Sequence, residues 1–190
     1  MRDKGTDYFE NTRRATHVQR QYAIDNPLKF NGCGPRCWGI TASDGPGPDT
    51  VKIEGVERQF FNYIARGVPF GPNGGTIAPW AAVASLPFAP GIVLPSIEYF
   101  VRELHLKANN PYGFKATLNA TYAATFGSPG GWVSPWHYGI NQGPIVLMIE
   151  NYRSELLWRL TRRSSYIVSG LQRAGFGGGW LQDASHARRS

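Results

Sequence analysis

Apolar residues recur at helical intervals near the start of the chain, in a segment with a recognisable beginning and end. The apolar positions of this segment are Tyr8, Ala15, Val18 and Tyr22. Asp7 and Glu10 stand three residues apart, the spacing of a capping box, and Asn26-Pro27 closes the segment. The pattern therefore predicts a first helix that begins near Asp7 and ends before Pro27.

Apolar spacing and the positions of proline and glycine predict four more helices further along the chain. They cover residues 79–86, 95–105, 144–160 and 165–174. Residues 28–75 are rich in turn formers, with one short helix expected near residues 57–66. Because period-two alternation is nearly absent, the predicted fold class is all-α, with loops too long for a simple bundle.

Composition and charge indicate which kinds of molecule the chain is suited to bind. A chain of 190 residues with 42% hydrophobic content can bury the core of one domain. Its 20 Lys and Arg residues give a net charge of +7 but form no run of like charges, so nucleic acid is not the expected partner. No aliphatic run reaches the length of a membrane span, and no membrane association is expected. Six Trp, nine Tyr and ten Phe favour aromatic surfaces suited to sugars or exposed bases.

The two cysteines, Cys33 and Cys37, do not indicate a metal site, because no second pair completes a tetrahedral set of ligands. A local disulfide or two buried thiols are both compatible with their spacing, and buried thiols are the preferred interpretation. We expect no cofactor and no metal. The N-terminus lacks the apolar core of a signal peptide, so the compartment stays open, and either the domain starts here or an upstream part is absent.

Two loop segments carry candidate binding chemistry. Trp38 and Asp44 lie on one irregular segment, where Asp44 either faces a ligand or forms an Asx-turn with its own backbone. The segment from Trp132 to Tyr138 holds three aromatic residues and His137. It is suited to stacking against a sugar ring, and the alternative is a set of core indoles with a structural histidine.

An unbroken aliphatic run, residues 143–149, leads directly into Glu150. A helix that is apolar all round is buried, so the carboxylate needs a partner or a function. Arg153, three residues on, could neutralise it within the helix. Glu150 could instead serve as a general acid, and glycosidic cleavage needs two carboxyl groups, for which Asp44 and Glu150 are the leading pair.

Several motifs, taken together and in order, resemble the glycoamylase-like domain, the group that includes the β-1,2-glucanases of glycoside hydrolase family 144 and relatives in cyclic β-1,2-glucan synthases. The matching segments are Asp7 to Thr16, Gln21 to Pro27, Trp38 to Pro46, Gly75 to Pro79, Tyr112 to Phe114, Asn141 to Pro144 and Met148 to Arg153. They extend from about residue 7 to residue 176, nearly the whole chain.

The resemblance implies an (α/α)6 toroid with a substrate cleft at one end of the ring. That fold takes about twice this length, and the motifs correspond to its C-terminal portion. We therefore expect an incomplete ring over residues 1–180, followed by a basic tail at 181–190, with inner-helix surface exposed. If an upstream part is absent, the resemblance allows a periplasmic or secreted protein.

Two positions depart from the family pattern as the resemblance gives it. The family favours Asp where this chain has Gly74, and many members carry Asp where this chain has Asn141. Both departures remove a potential acid or base. They weaken the expectation of hydrolysis more than that of sugar binding.

The resulting prediction is a glycoside hydrolase domain that acts on β-glucan, with β-1,2-linked glucan as the expected substrate, by direct hydrolysis with Asp44 and Glu150 and, by resemblance, with inversion. The residues expected to bind sugar are Trp38, Trp80, Trp132, His137, Tyr138, Asn141, Gln142 and Arg153. The alternative is a non-catalytic sugar-binding fragment that acts only when joined to a missing N-terminal half.

Overall fold

A computed structural model describes residues 2–3, 5–108, 111–122 and 131–182. The helices are α1 (Tyr8–Asp25), α2 (Pro79–Val83), α3 (Pro90–Glu98), α4 (Gly139–Ser154), α5 (Leu156–Arg163) and α6 (Ser165–Arg173), with a π-helical turn, Tyr99–Glu103, continuing α3. The strands are β1 (Arg2–Asp3), β2 (Thr6–Asp7), β3 (Asp49–Ile53), β4 (Val56–Phe60), β5 (Leu118–Asn119) and β6 (Trp132–Val133), paired in that order as three antiparallel two-stranded sheets. The predicted helical class is confirmed, and the greater part of the predicted basic tail, residues 183–190, lies outside the described residues.

The first helix forms as its capping residues predict. One carboxylate oxygen of Asp7 accepts hydrogen bonds from the backbone N–H groups of Phe9 and Glu10, each at 3.1 Å. At the other end, Asn26 adopts a left-handed conformation with φ 41°, and its N–H donates to the Tyr22 carbonyl. Both ends of α1 therefore have satisfied backbone groups.

The short helix predicted near residues 57–66 is wrong, because residues 49–60 form a β-hairpin. Ile53 pairs with Val56, which leaves Glu54 and Gly55 as a two-residue loop. Both loop residues have positive φ, 50° and 82°, the backbone of a tight hairpin turn. The sequence signal is weak because these strands are largely exposed, with only Phe60 fully buried, so alternation of apolar and polar residues is incomplete.

Two helices begin earlier than predicted, because Pro95 and Pro144 do not stand in the first turn of their helices. α3 begins at Pro90, so Pro95 lies inside it. α4 begins at Gly139, five residues before Pro144. Each internal proline removes one backbone donor, a cost that packing of the surrounding helix must offset.

The helix predicted over residues 144–160 is two helices, because the chain turns at Glu155. Glu155 has φ 55°, and its N–H donates to the Asn151 carbonyl. The Asn151 side-chain oxygen then accepts the Trp158 N–H at 3.1 Å. A single buried asparagine thus closes α4 and opens α5.

The core lies among α2, α3, the start of α4 and the segment around Trp38. Its largest fully buried members are Trp38, Phe100, Val83 and Val93. α4 contributes Ile145 to this core, whereas Ile140 on its outer side is 82% exposed. The predicted burial of α4 all round is therefore wrong.

None of the helices within the described ranges is long and apolar enough to cross a membrane.

Candidate functional site

Asp44 is held by two buried hydroxyl groups that come from distant parts of the chain. The Thr117 hydroxyl donates to one carboxylate oxygen at 2.9 Å, and the Ser134 hydroxyl donates to the other at 2.6 Å. Both donors are fully buried, while Asp44 is half-buried. These are tertiary contacts and not the local Asx-turn considered from the sequence. They fix the orientation of the carboxylate at both oxygens.

The small β5–β6 sheet brings the two donors together. Thr117 directly precedes β5, and Ser134 directly follows β6. The Ser134 N–H donates to the Thr117 carbonyl at 2.9 Å, which extends the pairing of Leu118 with Val133 by one position. The hairpin therefore presents two hydroxyl groups side by side, at the spacing of the two oxygens of one carboxylate.

Two ionisable neighbours respond to the charge of Asp44. Burial lowers the pKa of Arg66, and the negative charge of Asp44 partly offsets this. Burial raises the pKa of Tyr138, and the charge of Asp44 raises it further. Asp44 thus lies within electrostatic reach of a buried guanidinium and of a phenol.

An open cavity of about 590 Å³ at the far end of α4 is lined by Phe9, Phe88, Trp158 and their neighbours, away from Asp44. A second cavity, of about 550 Å³, is lined by Tyr138 and so adjoins the Asp44 cluster. The residues lining this second cavity are Tyr112, Pro135, Trp136, His137, Tyr138, Gly139 and Gln142. Its volume lies in the range of small-molecule sites, and it is the better candidate because a fixed carboxylate stands beside it.

Aromatic side chains and one hydrogen-bond chain join this cavity to Asp44. Trp136 is 60% exposed, and its backbone N–H donates to the Ser134 hydroxyl oxygen at 3.2 Å. The same Ser134 hydroxyl donates to Asp44. Tyr112 lies across the cavity, its ring centroid 6.3 Å from that of His137. Exposed aromatic faces beside a fixed carboxylate can bind a sugar through both its apolar face and its hydroxyl groups.

His137 and Gln142 use polar atoms to hold the cavity wall. Gln142 Nε2 donates to the Phe114 carbonyl at 2.8 Å, and His137 Nδ1 lies 3.1 Å from the same oxygen. Gly113 has φ +98°, and a Cβ there would stand 2.2 Å from Gln142 Oε1, so the close approach requires glycine. Both residues therefore stabilise the loop around residue 114, and direct contact with sugar stays a prediction for them.

The described polar contacts of Glu150 lie within α4, none of them joins it to Asp44, and the pairing of the two carboxylates stays a prediction. The Ser154 hydroxyl donates to the Glu150 carboxylate, and Arg153 Nη1 lies 3.8 Å away, both on α4 itself. The structural alternative, an ion pair between Glu150 and Arg153, is confirmed.

Trp38 does not line the cavity. It is 2% exposed, and its indole N–H donates to the Ser96 hydroxyl oxygen at 2.8 Å. The expected contact between Trp38 and sugar is therefore wrong, because the side chain is a core residue beneath the Asp44 loop. A core indole, the alternative considered for the segment from Trp132 to Tyr138, is thus found at Trp38.

The remaining predicted binding residues are distributed over several elements. Trp80 in α2 is half-buried, and Trp132 in β6 pairs with Asn119. Asn141 is buried in the first turn of α4, and Arg153 is exposed in its last turn. Sugar contact by these four stays a prediction, and Arg153 lies beside Glu150.

Sequence reasoning missed several residues of the site. Trp136 could have been found, because it stands in the aromatic segment that was singled out, and Tyr112 stands in a quoted motif. Thr117, Ser134 and Arg66 carried no signal of their own. Only the pairing of β5 with β6 and the folding of the Asp44 loop bring them together.

At Gly74, the carboxylate that the family pattern favours would come into close contact with its neighbours. A Cβ at this position would lie 3.1 Å from the Gln59 carbonyl oxygen and 3.2 Å from Phe61 Cδ2. The Gly74 carbonyl accepts a hydrogen bond from Asn119 Nδ2 at 2.8 Å, which holds the backbone in place. A side chain here would require its neighbours to move.

Comparison with known proteins identifies the family. The glycoamylase family model, described as "Putative glucoamylase", matches residues 1–165. The chain belongs to the glycoamylase family. The resemblance inferred from the motifs is thereby confirmed.

Relatives of this glycoamylase-family chain are named as β-1,2-glucan hydrolases. It is 33% identical over 171 residues to an exo β-1,2-glucooligosaccharide sophorohydrolase (non-reducing end) from Parabacteroides distasonis, covering 90% of this chain and 21% of that protein. It superposes on the endo-β-1,2-glucanase of Chitinophaga pinensis with a TM-score of 0.74 and 31% identity, covering 95% of this chain and 38% of the other. A structure described as a "putative glucoamylase" from Bacteroides uniformis gives a TM-score of 0.78 and 37% identity, again covering 95% and 38%.

The glycoamylase-family chain thus spans about a fifth of its curated relative and under two fifths of these solved structures. Near-complete coverage of the chain at TM-scores above 0.7 confirms that it has the fold of the corresponding part of these relatives. The short span is consistent with the expected partial ring. The exposed Ile140, Val146 and Leu147 on α4 are consistent with inner-helix surface left uncovered.

Proposed function

We propose that this chain forms part of a glycoside hydrolase that acts on β-1,2-glucan, with Asp44 as its functional carboxylate. The observation that carries the proposal is the fixed Asp44 carboxylate beside an open aromatic cavity, in a chain whose relatives are named for β-1,2-glucan hydrolysis. In this proposal the rings of Tyr112, Trp136 and Tyr138 contact the apolar faces of glucose units. Asp44 accepts a hydrogen bond from a sugar hydroxyl or from the attacking water.

Asp44 is suited to the role of acceptor or base. Its two oxygens each already accept one hydroxyl hydrogen bond, which a carboxylate does as an acceptor-only group. Each oxygen retains a further lone pair for a ligand. Because both oxygens already accept hydrogen bonds, Asp44 takes the acceptor role in this proposal, and a different residue supplies the general acid.

The second candidate function is sugar binding without turnover. Two observations favour it: Glu150 is committed to Ser154 and Arg153, and the chain spans only a fraction of its hydrolytic relatives. Under this hypothesis the general acid comes from a further part of the ring that packs against the exposed side of α4. The chain then binds glucan and releases no product unless that part is supplied.

The test is to measure binding and hydrolysis separately on the purified chain. Isothermal titration with sophorose, the β-1,2-linked glucose disaccharide, reports binding, and the release of reducing ends from linear β-1,2-glucan reports turnover. Asp44→Asn should weaken binding about tenfold or more, because a hydrogen bond to a charged acceptor is replaced at a site that remains folded. Trp136→Ala should weaken it by a similar factor through loss of stacking.

Asp25→Asn is the matched control, since Asp25 is exposed at the end of α1 and accepts only a local hydrogen bond from Gln21 among its described contacts. It should bind sophorose like the wild type. Binding together with product supports the hydrolase, whereas binding without product supports the second candidate. If the folded wild-type chain binds neither sophorose nor linear β-1,2-glucan, both proposals are wrong.

A further inference from the structure

We propose that Ser134 is a positioning residue that couples Trp136, the exposed aromatic residue of the cavity wall, to the Asp44 carboxylate. The proposal rests on the proposed function, because a sugar that stacks on Trp136 and hydrogen-bonds to Asp44 depends on the spacing between them. The coupling itself lies in the hydrogen bonds around Ser134 and can be measured without any sugar.

The hydroxyl group of Ser134 makes two hydrogen bonds with different partners. Its oxygen accepts the backbone N–H of Trp136 at 3.2 Å, and its proton is donated to Asp44 Oδ2 at 2.6 Å. Because a hydroxyl has a single proton, the bond to Asp44 leaves the oxygen lone pairs to receive the Trp136 N–H. The Ser134 side chain is fully buried, so water cannot readily replace either partner. One buried group therefore links the cavity wall directly to the carboxylate.

The residues next to Ser134 confine this link. Pro135 has no backbone N–H, so Trp136 carries the first N–H that follows Ser134. The Trp136 carbonyl in turn accepts the Ala116 N–H at 3.2 Å, which fastens the same residue to the segment leading into β5. The Trp136 backbone is thus held at both its N–H and its carbonyl, while the residue is 60% exposed. The aromatic ring stands on a fixed backbone, and its position relative to Asp44 depends on Ser134.

Thr117 provides the matched comparison, because it is a second fully buried hydroxyl that donates to the same carboxylate. It reaches Asp44 Oδ1 at 2.9 Å, and its described side-chain hydrogen bond does not extend to the cavity wall. Ser134→Ala and Thr117→Val each remove one hydroxyl group without a large change in side-chain volume. If Ser134 only holds Asp44, the two variants should behave alike. The proposed coupling requires an additional effect in Ser134→Ala.

The first measurement follows hydrogen exchange of the Trp136 backbone N–H by NMR in the full chain. Exchange in Ser134→Ala should be about fivefold faster than in the wild type or more, because the N–H has lost its acceptor. Thr117→Val should change the rate by less than about twofold, since it leaves that acceptor in place. An unchanged rate in Ser134→Ala would overturn the proposal. Equal acceleration in both variants would also overturn it, because general destabilisation then explains the effect.

The second measurement is the affinity for sophorose of the same proteins, with and without Trp136→Ala. Ser134→Ala should weaken binding about tenfold, and Thr117→Val about threefold or less, because only the first variant releases the Trp136 backbone. In the Trp136→Ala background no ring remains to be positioned. Ser134→Ala and Thr117→Val should therefore weaken binding by the same factor there.

The two measurements separate the coupling from the proposed function. If Ser134→Ala keeps its full additional effect in the Trp136→Ala background, the coupling to the ring is wrong and Ser134 acts through Asp44 alone. If the wild type binds no sophorose but exchange of the Trp136 N–H responds as expected, the hydrogen-bonded link stands and the proposed function fails.

Should Ser134→Ala not fold, Ser134→Cys takes its place, because a thiol is a weaker donor and acceptor at the same position. Exchange of the Trp136 N–H should then still be faster in Ser134→Cys than in Thr117→Val. A rate in folded Ser134→Cys equal to that of Thr117→Val would contradict the positioning role.

Discussion

The indole of Trp38 and the hydroxyl of Ser96 form a fully buried hydrogen bond, and we predict that Ser96→Ala destabilises the protein through the indole left without a partner. Trp38 Nε1 donates to Ser96 Oγ at 2.8 Å, and both residues are at most 2% exposed. Ser96 Oγ in turn donates to the Ile92 carbonyl at 3.1 Å within α3. The alanine methyl group can replace neither contact.

The magnitude follows from the burial of the indole N–H. Leaving a buried donor unsatisfied costs about 1–3 kcal/mol, the full desolvation penalty of the group. The Ile92 carbonyl lies within α3 and has a backbone donor from the helix, so loss of the Ser96 hydroxyl costs less there than at the indole. For a domain of this size, about 1–3 kcal/mol corresponds to a fall in Tm of roughly 2–12 °C.

The assay is urea denaturation of Ser96→Ala, Trp38→Phe and the double variant, with Ser165→Ala as the control. Ser165 is exposed at the first residue of α6, and its replacement should change the free energy of unfolding by less than about 0.5 kcal/mol. In the Trp38→Phe background no indole N–H is present. Ser96→Ala should therefore cost clearly less there than in the wild type.

Equal cost of Ser96→Ala in both backgrounds would refute the hydrogen-bond reasoning. Sophorose titrations on the same proteins check the placement of Trp38 in the core. Affinity per folded molecule should be nearly unchanged in Trp38→Phe, because the ring lies beneath the site. A drop of about tenfold or more in a variant that keeps its fold would return Trp38 to the sugar-binding surface.

Two further predictions concern Glu150 and the cysteines. Glu150→Gln should leave sophorose affinity unchanged and lower the free energy of unfolding in urea by about 0.5 kcal/mol or less. The partners of Glu150 on α4 are only Arg153, in a half-exposed ion pair, and Ser154. A large loss of affinity or turnover would show that Glu150 acts at the cleft. Burial raises the pKa of Cys33 to about 11 and that of Cys37 to about 12, so iodoacetamide at about pH 8 should alkylate them slowly in the native chain and quickly in urea, as read by mass spectrometry. Because both folded pKa values exceed the ordinary thiol value of 9.0, the stability contributed by half-buried Cys33 and buried Cys37 is intact below pH 9.0 and falls as pH rises toward 11 and 12. Rapid native alkylation would contradict this burial.

The helical class could be predicted because it depends on local signals. Asp7 caps α1, Asn26 ends it, and Ser164 caps α6 by accepting the Ile167 N–H. The β3–β4 hairpin could not be predicted in the same way. Its register depends on a turn at Glu54-Gly55, and only one of its ten strand residues is fully buried. Where burial is slight, the alternation that identifies a strand is weak.

The residues of the site likewise include one that the sequence suggests and others that only the fold brings together. Asp44 could be selected because a carboxylate in a loop with an aromatic neighbour is suggestive in itself, but its neighbours could not. Thr117 and Ser134 are 73 and 90 residues away from it in sequence, and they meet Asp44 only because two very short strands pair. Strands of two residues leave almost no periodic signal, so the contacts that define the site are invisible in the linear pattern.

The apolar run before Glu150 illustrates why a hydrophobic pattern can be read correctly and still mislead. Its residues do form a helix, and Ile145 does enter the core, but Val146 and Leu147 face outward. In a closed ring other helices cover both sides of an inner helix, so an inner helix can be apolar all round. In the described residues one side of α4 is open, and Glu150 is satisfied by its own helix. The aliphatic run therefore does not by itself bury Glu150, and Asp44, held at both carboxylate oxygens by Thr117 and Ser134, is the carboxylate on which the functional proposal rests.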